Sequence, residues 1–219
     1  MSESLPIPAA ARRSIILGGL VGTGMILFAL FSHQGFPLIL LSVTGLLVAA
    51  LCISLHLSSG ASVSETFGFS RFRRKVGQYA LLGVFIGLSL GIIYRWAFSA
   101  TPMPPRLGWF VLVAALIGSA EELLYRGYLQ SLLHSLGSLP AVAVAALFHS
   151  GYKGALFAVS SFPLDINLRF LVIATFLAGL AFGAMRERSG HIAPSITAHA
   201  CFDIIVYSEL SKAPWWVWS

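Results

Sequence analysis

The chain has 219 residues, of which 57% are hydrophobic and only 10% charged, and its mean hydropathy is +0.85. Soluble domains carry about 25% charged residues, so this composition excludes an ordinary water-soluble globule and points to an integral membrane protein. The formal charge of +6 would suggest nucleic acid in a soluble protein, but here the basic residues flank apolar runs and read as topology signals.

Residues 1–13 are polar, end in Arg12-Arg13 and are expected to form a flexible tail. Residues 14–31 follow as an apolar run that is long and lacks a small-residue cleavage site, so they read as a retained first span rather than a signal peptide. A second span is expected over 36–55. The stretch Glu65 to Lys75 then alternates Phe67, Phe69 and Phe72 with Arg71, Arg73, Arg74 and Lys75. Beside two spans such a segment fits the lipid headgroup region, with a solvated basic loop as the alternative. Further spans are expected over 78–98, 109–133, 140–159, 168–185 and 192–210, about seven in all. Ser150, Gly151, Tyr152, Lys153 and Gly154 interrupt the fifth of these and are expected to break its helix there. The fold class is therefore all-α: a single polytopic bundle over 14–219 with an interfacial basic-aromatic segment.

Basic residues set the orientation. Arg12, Arg13, Arg71, Arg73, Arg74, Lys75, Arg186 and Arg188 fall on one side of the alternating topology, against Arg95, Arg106, Lys153, Arg169 and Lys212. The bias implies a cytoplasmic N-terminus in a multi-pass protein, and the membrane is expected to be a prokaryotic plasma membrane. On the far side, Trp215, Trp216 and Trp218 read as an aromatic anchor or as terminal packing. Cys52 and Cys201 lie far apart inside apolar segments and are expected to be buried thiols.

Chemistry concentrates at 118–127, GSAEELLYRG, where two carboxylates and an arginine interrupt an apolar run. Each such group at mid-membrane costs about 2.5–3.5 kcal/mol on insertion scales, so together they require a hydrated site or tight pairing. Glu3, Glu65, Asp165, Glu187 and Glu209 sit in loops or near ends, as do His33, His56, His134 and His191. Glu121, Glu122, Asp203, His149 and His199 lie deep in their segments. At a rise of about 1.5 Å per residue, His149 and His199 stand roughly 11–14 Å from the inner face and Glu121 about 12 Å, one common layer.

Glu122 and Arg126 are spaced i,i+4 with the acid first, the favourable order for a pair. Glu121 points away and is expected to stay free. His199 and Asp203 are likewise i,i+4, so Asp203 is expected to hold the imidazole. A structural polar cluster would explain one or two such groups, but five favour function.

These residues resemble the CPBP family, which comprises the CAAX proteases and the bacteriocin-processing or abortive-infection-type membrane proteins. Its Glu-Glu-x-x-x-Arg hallmark is matched by Glu121, Glu122 and Arg126, its Phe-x-x-x-His motif aligns with His149, and its His-x-x-x-Asn/Asp motif with His199 and Asp203. The resemblance covers about residues 109–207, and departs from the pattern at Ala145, where the family has phenylalanine, and at Asp203, where asparagine is common.

The resemblance implies an intramembrane endopeptidase acting on a membrane-associated protein or peptide, with no cofactor. Glu121 would be the general base on water, His149 would position that water, and His199 with Asp203 would stabilise the oxyanion. Glu122 and Arg126 would support them. Asp203 must then carry a proton or serve only to orient His199, since an ionised carboxylate would repel an oxyanion. The alternatives are a zinc protease using Glu121, His149 and His199, and a non-catalytic scaffold or proton-coupled transporter. The partners implied are the lipid bilayer and the peptide, not nucleic acid.

Overall fold

The computed structural model describes residues 9–69, 74–97, 101–159 and 167–209. Arg71, Phe72, Arg73, Asp165, Lys212 and the terminal tryptophans lie outside the described residues. The structure is all-helical: α1 (Ala9–Phe31), α2 (Ile39–Ser58), α3 (Val63–Phe67), α4 (Arg74–Ala97), α5 (Phe110–Glu122), a π-helical segment (Leu123–Leu129), α6 (Gln130–Leu133), a short 3-10 turn (His134–Leu136), α7 (Ser138–Ala158), α8 (Leu168–Ser189) and α9 (Ala193–Val206). Helix α1 begins inside the stretch expected to be tail.

Among the described residues, five helices, α1, α2, α4, α7 and α8, are long and apolar enough to cross a membrane. The other two expected spans take different forms. The run from α5 to α6 is one continuous helix whose character changes at its buried charges. Helix α9 has 14 residues, about 21 Å against a core of about 30 Å, and lies within the bundle. Leu47, Leu81, Phe85, Leu116, Leu147 and Ile173 are exposed, an outward apolar surface that suits lipid rather than water.

Glycines let the helices close, because small residues allow backbones to approach without a side chain between them. Gly83, Gly87 and Gly91, one turn apart on α4, face α9; a Cβ on Gly83 would stand 2.6 Å from Pro194 O and one on Gly87 would strike Ala198 O. On α5, a Cβ on Gly118 would strike Asp203 Oδ2 and stand 2.9 Å from His199 Cδ2. Helix α9 is thereby pinned between α4 and α5.

The expected break in the fifth span does not occur. Helix α7 runs unbroken to Ala158, and its small residues are packing devices. Ser150 Oγ donates to Val172 O of α8 at 2.6 Å, and a Cβ on Gly154 would lie 2.8 Å from Val172 Cγ2. Backbone bonds satisfied inside the helix tolerate glycine where a neighbouring helix fills the groove.

Both ends of the bundle are tied. At one, buried Arg95 donates to Thr101 O at 2.7 Å and to Glu209 Oε2 at 2.9 Å, joining α4 to the end of α9. At the other, Gln130 Nε2 donates to Glu187 Oε1 at 2.8 Å, and Ile192 N donates to Gly68 O at 2.9 Å. Phe67 packs on Tyr128 and Phe69 meets His191 edge-on, so these two rings of the basic-aromatic segment contact protein. Cys52 is buried as expected, whereas Cys201 is only half-buried; both are free thiols.

Candidate active site

The charged and histidine residues of this site come from α5, the π segment, α7 and α9. Glu121, Glu122, Arg126, His149, His199 and Asp203 are all buried. The structure brings Glu121, Glu122, Arg126, His149 and His199 into one network, with Asp203 at its edge.

Glu122 is its centre. Its Oε1 accepts from Arg126 Nη1 at 2.8 Å and lies 2.8 Å from His199 Nδ1. The other pair is Glu121 and His149, with Oε2 to Nε2 at 3.1 Å. Arg126 Nη1 also lies 2.7 Å from His149 Nδ1. A guanidinium only donates, so Nδ1 accepts, and the single proton of this neutral imidazole resides on Nε2, from which it donates to Glu121. The Tyr125 ring stacks on His149 with centroids 4.5 Å apart and fixes its plane.

The π segment carries Tyr125 and Arg126 side by side into the interior; such wide turns recur at functional sites in helices. Gly179 of α8 makes room for the arginine, since a Cβ there would stand 2.6 Å from Arg126 Nη2. Ala145, in the place of the family's phenylalanine, is buried in the same apolar cluster as Tyr125, Leu129 and Ala29. Phe148 packs against the same cluster. It turns toward α1, where a Cβ on Gly22 would strike it.

Two expectations are corrected. Asp203 does not hold His199: Oδ2 is 3.8 Å from Nε2, beyond hydrogen-bond range, and Glu122 on another helix takes the imidazole instead. Nor is Glu121 free. Its Oε1 lies 2.6 Å from Lys153 Nζ, a residue that sequence reading assigned to the outer face. The signal was there, because Lys153 follows His149 by four residues and so shares its helix face.

A cavity of about 120 Å³ adjoins this network. Arg126, His149, Lys153, His199 and Asp203 are among its polar lining residues, and Leu90, Ile93, Phe157, Phe170 and Phe202 are among its apolar ones. It runs between α4, α7, α8 and α9. Concave, largely apolar space with a few convergent polar groups is the usual form of a binding site.

Fold and site together define a multi-helix membrane protein with a Glu/His/Arg/Lys cluster inside the bundle. Residues 103–205 match a family model described as Type II CAAX prenyl endopeptidase Rce1-like, a stretch that contains every residue of the network. The match bears out the resemblance of these residues to the CPBP/CAAX-protease family. No curated protein and no solved structure gives a match.

Proposed function

We propose that the chain is an intramembrane endopeptidase in which Glu121 acts as general base toward a peptide bond lodged in the cavity. The observation that carries this reading is the placement of Glu121: its carboxylate touches Lys153 and His149 and stands 3.7 Å from His199 Nε2, beside a cavity those three residues line. Glu121 takes one proton from a water, the water oxygen bonds to the peptide carbonyl carbon, and the C=O π pair moves onto the carbonyl oxygen. His199, held at Nδ1 by Glu122, donates as an imidazolium from Nε2 to that oxyanion. The proton on Glu121 then passes to the leaving nitrogen as the C–N bond breaks. His149 donates to Glu121 and sets the direction of its oxygens, and Asp203 adds polarity at the wall without holding His199.

The donor set suits zinc poorly. His149 Nε2 carries the proton that Glu121 accepts, and the Lys153 ammonium touches the same carboxylate, so a metal would have to displace both. The reading is therefore of metal-independent hydrolysis.

The distribution of basic residues supports a cytoplasmic N-terminus. Ser14, His56, His134 and Arg186 line one cavity and so share an end of the bundle, the end where α1 starts, α2 finishes and α8 finishes. Arg95 and Lys153 are paired inside and drop out of the outer set, which sharpens the basic bias.

The test is cleavage of a proteome-derived peptide mixture in phosphatidylethanolamine/phosphatidylglycerol vesicles by the purified full chain, with sites read by mass spectrometry. Wild type should cut a defined subset, and Glu121→Gln and His149→Ala should cut none of it. Undiminished turnover in Glu121→Gln would overturn the assignment; a scaffold or transporter would cut nothing in any form.

A further inference from the structure

The adjacent glutamates are balanced by cations from different helices. Arg126 serves Glu122 at 2.8 Å, and the same Nη1 is shared with His149 Nδ1. His149 is neutral by that contact, so it gives Glu121 a hydrogen bond but no charge. His199, an imidazolium on the reading above, stands at 3.7 Å from Glu121 with Nε2, within ion-pair distance but beyond a hydrogen bond, and its Nδ1 is committed to Glu122. From α9 the remaining neighbour is Asp203, an acid. The cation in direct hydrogen-bond contact with Glu121 is Lys153, at 2.6 Å.

Its placement is not that of a lysine avoiding the membrane. Such side chains near a helix end extend toward the interface. Lys153, close to the end of α7, turns inward instead, its ammonium near the Tyr152 ring at 6.0 Å and at the wall of the cavity. A carboxylate in low dielectric stays ionised only when a partner charge compensates the lost hydration. Resting on the endopeptidase reading above, we propose that Lys153 is a positioning residue of the hydrolytic site: it holds Glu121 ionised beside the cavity that Lys153 itself lines, while Arg126 pairs with Glu122. When Glu121 takes the water proton its charge is lost, and the ammonium remains at the cavity wall, where the carbonyl oxygen is gaining charge.

The experiment reads Glu121 directly. Subtracting the infrared spectrum of Glu121→Gln from that of the full wild-type chain in lipid isolates the Glu121 band, and Lys153→Met minus Lys153→Met/Glu121→Gln isolates it without the lysine. An ionised carboxylate is expected in wild type and in Lys153→Arg, and a protonated carboxyl in Lys153→Met. A carboxylate band that persists in Lys153→Met overturns the proposal. If Lys153→Met does not fold, recovery of folding in Lys153→Met/Glu121→Gln supports it, and failure to recover overturns it.

Activity supplies a second arm. With the peptide mixture, Lys153→Met should lose kcat by about 100-fold or more with little change in KM, the scale of a lost general base, and Lys153→Arg should regain part of it. Absence of cleavage by wild type would count against the endopeptidase reading alone, because the infrared arm still decides whether Lys153 governs Glu121.

Discussion

Glu122 Oε1 and His199 Nδ1 lie 2.8 Å apart, joining the second glutamate of α5 to the histidine of α9 across the helix interface. The same oxygen receives Arg126 at 2.8 Å, so one atom orients both an imidazole and a guanidinium. Glu122 is thus a hub shared by Arg126 and His199.

Replacing Glu122 by Gln should therefore damage more than activity. The amide keeps the shape but leaves the Arg126 charge uncompensated in the interior, a change worth about 3–5 kcal/mol. Thermal unfolding in detergent should show this loss, and Glu122→Gln/Arg126→Gln should recover part of it by removing both charges.

At Asp203 the expectation runs the other way. Because Oδ2 is 3.8 Å from His199 Nε2, no hydrogen bond is lost when the charge is removed. Asp203→Asn should keep cleavage within a few-fold of wild type while Glu122→Gln does not, as measured by kcat/KM on one peptide in vesicles. A loss in Asp203→Asn equal to that of Glu121→Gln would return Asp203 to the catalytic set.

Two glycine substitutions should separate stability from activity. In Gly118→Ala the atoms in the way are the ends of the Asp203 and His199 side chains, which can move without unfolding the protein but leave their working positions. Cleavage should fall about tenfold or more with a modest change in melting temperature. In Gly87→Ala the obstacle is the backbone oxygen of Ala198, which cannot step aside, so a stability cost of about 1–3 kcal/mol is expected.

Chelation should leave cleavage intact. Dialysis of the purified protein against EDTA or 1,10-phenanthroline, followed by metal analysis and the vesicle assay, should give the activity of the untreated sample. Loss of activity restored by zinc would favour the metal reading of Glu121, His149 and His199.

Much of the site was legible because its components are expensive where they sit. Apolar runs mark the helices, and any ionisable residue deep inside one stands out, so Glu121, Glu122, Arg126, His149, His199 and Asp203 were found from position alone. Counting residues from the helix ends placed Glu121, His149 and His199 in one layer, since helical rise is nearly constant. Lys153 was hidden by the same logic: a basic residue near the end of an apolar run counts as a topology signal. Only its inward turn reveals the ion pair.

The sequence by itself determined that the chain is a membrane helix bundle, that Glu121, Glu122, Arg126, His149, His199 and Asp203 lie deep in it, and which pairs share one helix face, as with Glu122 and Arg126. Those properties depend on hydropathy and on the period of a single helix. The tertiary structure decided which carboxylate meets which cation or imidazole across helices. His199 goes to Glu122 rather than to Asp203 on its own helix, and Glu121 goes to Lys153, because Gly118, Gly83 and Gly87 set how closely α9 nests against α5 and α4. The rotation and spacing of packed helices are collective results of many contacts, and no local spacing rule contains them.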